Sequence, residues 1–131
     1  HAQRKFNLII FLSQDWEKSW GGELSFYLKN KTNQKMPGKL LKKIYPKFNR
    51  AVFFDTSYYS WHGVESIRAN KIRKTIAVYY LTPLRKNNSI KRERVLYAPI
   101  NKQIYNKKIL RFIKLRSNPK KFSKVYITKN S

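Results

Sequence analysis

Two residues of the sequence have side chains and surroundings that could serve a chemical site. His62 lies in Ser60-Trp61-His62-Gly63-Val64, at the close of a β-rich stretch, and Arg73 follows 11 residues later, where another apolar run begins. Each has an ordinary interpretation, because a histidine among aromatic residues is commonly a core or loop residue, and an arginine entering a strand commonly lies on the surface. Their order and spacing together are more informative than either residue alone.

Short β-rich runs separated by turn residues make up the first part of the chain. Residues 6–12 form one such run, and Gly21-Gly22 predicts a tight turn into residues 23–28, where apolar and polar side chains alternate. Residues 29–39 are polar and basic and predict a loop. Residues 40–45, 51–54 and 75–81 predict further strands, the last ending at Pro83.

The character of the sequence changes after Pro83. Residues 84–94 are rich in charge, and apolar residues then recur at helical spacing among lysines, which predicts one amphipathic helix ending near Asn118-Pro119. Five or six strands followed by one helix predict a mainly β fold, a sandwich or a barrel. We divide the chain into a β core, residues 1–83, and a basic carboxy-terminal extension with one helix, residues 84–131.

Six segments carry a resemblance to a known family: residues 4–12 (RKFNLIIFL), 15–16 (DW), 20–24 (WGGEL), 46–56 (PKFNRAVFFDT), 60–64 (SWHGV) and 73–80 (RKTIAVYY). In this order and at this spacing they resemble the iron(II)/2-oxoglutarate-dependent dioxygenases, in the prolyl 4-hydroxylase-like branch. The resemblance implies a double-stranded β-helix, or jelly roll, that is incomplete at its amino terminus.

The resemblance also implies roles for particular residues. His62 matches the second histidine of an iron site built from two histidines and one carboxylate. Arg73 matches the residue that binds the far carboxylate of 2-oxoglutarate through its planar fork of donors, with Arg68 the next candidate. Trp61 and Phe53 are expected to pack near the metal loop, whereas Asp55 is not expected to be a ligand, because the family places its carboxylate ligand upstream.

The implied reaction is hydroxylation of an unidentified substrate (a protein, a sugar or a small molecule) with release of succinate and CO₂. The implied cofactor is Fe(II), with 2-oxoglutarate as co-substrate and ascorbate as a candidate reductant. Beyond the metal and co-substrate ligands, no further catalytic residue is indicated.

The amino-terminal residues depart from the family pattern. The family's first ligands, His-any-Asp, should lie at or before the start of this chain, where the sequence reads His1-Ala2-Gln3. His1 is a secondary candidate ligand, but neutral Gln3 is a poor replacement for a carboxylate. Because the chain also opens without a methionine, we expect that the motif was cut off upstream. The chain alone should then bind iron(II) weakly and turn over little 2-oxoglutarate.

The composition is strongly basic, with 30 Lys and Arg against 6 Asp and Glu and a net charge of +24. Such a charge favours binding to polyanions, although abundant Lys, Asn and Ile are also typical of an AT-rich genome. The chain has no Cys, which excludes disulfides and thiolate metal sites. No apolar run is long enough to span a bilayer, so we expect a cytoplasmic protein without a membrane partner. Two alternatives to an oxygenase stay open: a nucleic-acid-binding module and a catalytically dead jelly-roll interaction domain.

Overall fold

Two antiparallel sheets make up most of the described structure. The computed structural model describes residues 2–57, 59–83 and 97–118. Its elements are β1 (Ala2–Phe11), β2 (Leu24–Lys29), β3 (Pro37–Ile44), β4 (Ala51–Asp55), β5 (His62–Val64), β6 (Thr75–Pro83) and the helix α1 (Lys107–Arg116), with 3-10 turns at Lys18–Trp20 and Asn101–Tyr105. In these residues the strand order is β4-β1-β6 in the first sheet and β3-β2-β5 in the second.

The two sheets share one apolar core. Phe11 of β1, Leu24 of β2 and Val52 of β4 are buried together, so the core draws on both sheets. Phe26 and Phe54 meet across the gap edge to face, with ring centroids 5.0 Å apart, an arrangement that aromatic rings favour. The predicted mainly β fold is confirmed: the described residues form an incomplete, jelly-roll-like sandwich of two three-stranded antiparallel sheets.

Strand β1 has one side toward the core and one side away from it. Its register with β4 pairs Asn7 with Phe54, and Asn7 is only 7% exposed. On the other side Phe6 stacks on Phe53 with ring centroids 5.0 Å apart, and Phe53 is 57% exposed. Because side chains alternate along a strand, the odd-numbered residues from 7 to 11 face the core and the even-numbered ones face outward.

The predicted glycine turn is confirmed and is attached to a distant part of the chain. Gly21 and Gly22 have φ angles of 74° and 75°, in the region that residues with a Cβ rarely adopt. The backbone N–H of Gly22 donates to the carbonyl oxygen of Ser66, and a Cβ on Gly21 would collide with that same oxygen. The turn is therefore fixed against the connection between β5 and β6, which leads to Arg73.

The element boundaries differ from the sequence predictions in two places. Strand β1 begins at Ala2 rather than at residue 6, because pairing with β6 supplies hydrogen-bond partners to a polar segment. Strand β3 begins at Pro37, so the predicted loop of residues 29–39 is shortened to residues 30–36. The predicted helix is present as α1.

The division at residue 83 coincides with the end of β6, but residues 84–96 and 119–131 lie outside the described residues, so the two-part organisation stays a prediction. Within the described ranges, no helix has both the length and the apolar character that a bilayer crossing requires.

Candidate active site

His62 is held on the edge strand β5, against the aromatic part of the core. In the register of the second sheet it lies opposite Phe26 of β2, and its ring contacts Phe54 of the other sheet at a centroid distance of 4.8 Å. The imidazole itself is exposed. One side of the ring is therefore fixed by aromatic packing, while the residue stays accessible from the open edge of the sheet.

A hydrogen bond fixes the protonation pattern of the neutral His62 ring. Its Nδ1 lies 2.6 Å from the carbonyl oxygen of Ser60, and since a carbonyl oxygen only accepts, Nδ1 must carry the proton. Nε2 of the neutral ring then keeps its lone pair. Metal-binding histidines commonly have this arrangement, in which the second ring nitrogen donates to a carbonyl group.

Arg73 directs its guanidinium group toward the core rather than into solvent. Its Cζ lies 5.5 Å from the centre of the Phe11 ring, which is completely buried. Burial lowers the pKa of Arg73, yet an arginine remains charged at neutral pH. Its buried Nη1 has no hydrogen-bond partner. A buried cationic donor without a partner is costly to the fold, and an anion bound at Nη1 would remove that cost.

Gly22 provides the space through which the Arg73 side chain reaches the core. A Cβ on Gly22 would lie 3.1 Å from Cδ of Arg73 and 3.4 Å from atoms of Trp16 and Ile67. The sequence identified Gly22 only as a turn residue. Its second role depends on a contact between residues 51 positions apart, which no local pattern in the sequence reveals.

His62 and Arg73 lie toward opposite ends of the same core face. Arg73 covers Phe11, whereas His62 contacts Phe54, the partner of Asn7. Phe11 and Asn7 are four residues apart on β1, a separation of about 13 Å along a strand. The space between the sheets therefore has a cationic donor at one end and an imidazole at the other.

Comparison with known proteins identifies the family. The profile of the 2OG-Fe(II) oxygenase superfamily matches residues 1–81. The chain belongs to this superfamily. Two curated relatives, both named prolyl 3-hydroxylase OGFOD1, are 33% identical over 78 residues in Xenopus laevis and 28% identical over 81 residues in Mus musculus. These matches cover 59% and 61% of this chain but only 15% and 14% of the relatives, so the chain spans a small part of their length.

Arg73 and His62, at the two ends of the core face, have the chemistry to bind 2-oxoglutarate and Fe(II), the two groups for which the superfamily is named. The unpartnered Nη1 of Arg73 suits a carboxylate of 2-oxoglutarate, and the free Nε2 of His62 suits a metal ion. His1, the other candidate ligand, lies outside the described residues, and Gln3 lies on β1 opposite Thr82. Within the described ranges, no three His, Cys, Asp or Glu residues cluster in a way that could hold a metal.

The remaining candidates from the sequence lie away from this face. Arg68 is exposed, and its Nε donates to the carbonyl oxygen of Ser19. Asp55 lies on the outward side of the first sheet, with its carboxylate 3.7 Å from Nζ of Lys5. The expectation that Phe53 packs near the metal is wrong, because Phe53 faces outward and its neighbour Phe54 contacts His62.

Proposed function

We propose that the chain forms part of the catalytic core of an Fe(II)- and 2-oxoglutarate-dependent dioxygenase, in which Arg73 binds the far carboxylate of 2-oxoglutarate and His62 is one of the metal ligands. The observation that carries this proposal is the partnerless Nη1 of Arg73, buried above the ring of Phe11. A fold rarely retains a buried unpaired donor without a reason. Binding of a dicarboxylate supplies such a reason here.

Each residue has a separate task in this proposal. Arg73 selects a ligand with a carboxylate at its far end and fixes its position through two parallel hydrogen bonds. His62 offers Nε2 to the metal, while its bond to Ser60 keeps the ring from rotating. Phe11, Phe26 and Phe54 supply apolar walls that limit access of water. Iron bound here would supply the oxidising chemistry, in which 2-oxoglutarate, O₂ and a C–H bond of the substrate are converted to succinate, CO₂ and a C–OH group.

For the substrate, we propose a prolyl residue of a protein. The support is that both relatives are named as prolyl 3-hydroxylases. The matches to those relatives include His62 and Arg73, because a stretch that covers 59% or 61% of a 131-residue chain contains both positions wherever it begins.

The test uses the whole 131-residue chain, with Mn(II) as a redox-silent probe of the metal site. Calorimetric titration of Mn(II), with and without 2-oxoglutarate, should show weak binding that the co-substrate strengthens. His62→Ala should abolish this effect without changing the far-ultraviolet circular dichroism, whereas the control Asn33→Ala, in the exposed loop between β2 and β3, should behave as wild type.

Succinate formation in the presence of Fe(II) and O₂ gives a second measurement. His62→Ala should remove whatever turnover the wild-type chain has. Mn(II) affinity and succinate formation that both persist in His62→Ala would exclude this residue as a ligand. Absence of any 2-oxoglutarate effect in the wild type would favour a catalytically dead domain instead.

A further inference from the structure

Residues 97–118 form a small unit that is separate from the two sheets. Helix α1 contacts the 3-10 turn Asn101–Tyr105, and neither element packs against a strand in the described residues. The unit has its own stabilising contacts. The side chain of Asn106 caps α1 by accepting from the backbone N–H groups of Lys108 and Ile109, and Arg116 Nη2 donates to the hydroxyl of Tyr97 at 2.7 Å.

The side chains of α1 are segregated around the helix axis. At 100° per residue, the apolar residues Phe112, Ile109, Ile113 and Leu110 fall on one arc, and the cationic residues Lys114, Lys107, Arg111 and Lys108 fall on the opposite arc. Two residues depart from this division: Leu115 falls on the cationic arc, and Arg116 falls within the apolar arc, where its guanidinium group donates to the hydroxyl of Tyr97. Leu110 and Phe112 are 38% and 50% exposed. The turn before the helix adds Tyr105, which is 81% exposed. An apolar surface thus faces solvent in a segment whose other side is charged.

The charge of this unit has one sign. Residues 97–118 contain six Lys and Arg and no Asp or Glu. A helix of ten residues is marginal in isolation, so a stable position requires a surface that covers its apolar arc. That surface must offer both an apolar layer and negative charge. A single-stranded nucleic acid supplies the charge and base faces that stack on aromatic rings, but Ile109, Leu110 and Ile113 on the apolar arc are aliphatic. An anionic lipid bilayer supplies negative charge and an aliphatic layer at its interface, and it therefore fits this arc better.

We propose that α1 lies in the plane of an anionic lipid surface, with its apolar arc in the acyl boundary and its lysines at the headgroups. This proposal replaces the expectation of no membrane partner, which considered only segments long enough to span a bilayer. The long lysine stems at the border of the arc allow the ammonium groups to reach the headgroups while the backbone sits lower. Tyr97 and Tyr105 are of the residue type that collects at membrane–water interfaces. The proposal is independent of the oxygenase site, since no residue of that site lies in this unit.

The experiment measures co-sedimentation of the 131-residue chain with vesicles of phosphatidylcholine alone and of phosphatidylcholine mixed with phosphatidylserine. Binding should require phosphatidylserine. The double variant Leu110→Ser and Phe112→Ser keeps every charge and should bind at least about tenfold more weakly, with its residual binding lost as salt is raised. The triple variant with Lys107, Lys108 and Lys114 changed to Gln should lose about fivefold per cation.

A matched control separates a specific surface from general attraction of a basic protein. Lys31, Lys35 and Lys42 are exposed and lie in the β2–β3 loop and on β3, and their change to Gln lowers the net charge by the same three units. This control should lose clearly less affinity than the α1 triple variant. Equal losses in the two triple variants, or unchanged binding in the serine variant, would overturn the proposal. Binding to a single-stranded oligonucleotide without binding to the vesicles would overturn it in favour of a nucleic-acid surface.

Discussion

Replacing Arg73 by Met is expected to make the protein more stable without 2-oxoglutarate and less stable with it. Met retains an unbranched stem beside Gly22 and above Phe11, so most of the packing survives. It removes a buried donor that has no partner. A buried donor without a hydrogen-bond partner costs the fold about 1–3 kcal/mol. Because Arg73 is only partly buried and solvent screens its charge, we expect Arg73→Met to raise the free energy of unfolding by about 0.5–1.5 kcal/mol.

The same change should remove binding of the co-substrate. Two charge-assisted hydrogen bonds are worth about 3–6 kcal/mol together, so the loss of both corresponds to about two to four orders of magnitude in Kd. Arg73→Lys keeps the charge but loses the fork, and one lost bond corresponds to about 10- to 150-fold. The lysine variant should therefore bind with intermediate affinity.

Urea denaturation of each variant, with and without 2-oxoglutarate, measures both effects at once. In wild type, a ligand at a hundred times its Kd raises the free energy of unfolding by about 2.7 kcal/mol, and the Met variant should show no such increase. Arg68→Met, at an exposed arginine, is the control and should retain it. If Arg73→Met is less stable than wild type without ligand and is still stabilised by 2-oxoglutarate, the assignment of the anchor is refuted.

Three further predictions concern the fold that supports the site. Gly21→Ala should lower the free energy of unfolding by about 1–3 kcal/mol, because the residue has a positive φ and its new Cβ would meet the carbonyl oxygen of Ser66; an unchanged urea midpoint would contradict this. Asn7→Leu should raise the free energy of unfolding by about 1 kcal/mol, because the buried Oδ1 of Asn7 has no hydrogen-bond partner in the structure. A lower urea midpoint in this variant would show that the Asn7 amide is hydrogen-bonded in solution. The hydroxyl of Ser25 donates to Glu65 at 2.6 Å and, as the largest of several causes, lowers the pKa of Glu65 below its ordinary value of 4.5. The stability that the Glu65 carboxylate contributes is therefore present above pH 4.5 and is lost as the pH falls through the lowered pKa of the folded state. Glu65→Gln should accordingly reduce the fall in the free energy of unfolding at acid pH. An identical fall in the variant and the wild type would exclude a contribution from Glu65.

The sequence predicts strands from both alternating and continuous apolar runs, but a continuous run does not indicate which face of the strand is buried. In β2, apolar and polar residues alternate, which predicts Leu24 on the buried side, and Leu24 is buried. Ser25 on the opposite side is equally buried and Leu28 is exposed, because the strand leaves the core toward its carboxyl end. In β4, the run Ala51–Asp55 begins with four apolar residues in succession, which is compatible with either face toward the core. The register with β1 decides which face is buried, because it pairs Asn7 with Phe54, so that Phe54 and not Phe53 faces the core.

The candidate site was only partly predictable for a similar reason. The positions of His62 and Arg73 follow from the resemblance to a family, and that family is confirmed. The burial of the Arg73 guanidinium, its missing partner and the space at Gly22 depend on contacts between distant segments. A sequence specifies such contacts only through the complete fold, so local spacing does not reveal them.

The contact between Gly22 and Arg73 has a consequence for the evolution of the site. Position 22 has two constraints, a positive φ and the stem of Arg73 at 3.1 Å from any Cβ. In a lineage that loses the arginine, the second constraint ends, and Asn or Asp, which tolerate positive φ, becomes acceptable at position 22. A side chain there would then crowd the stem of an arginine that returned at position 73. Loss of co-substrate binding is therefore expected to be harder to reverse in lineages that also substitute position 22.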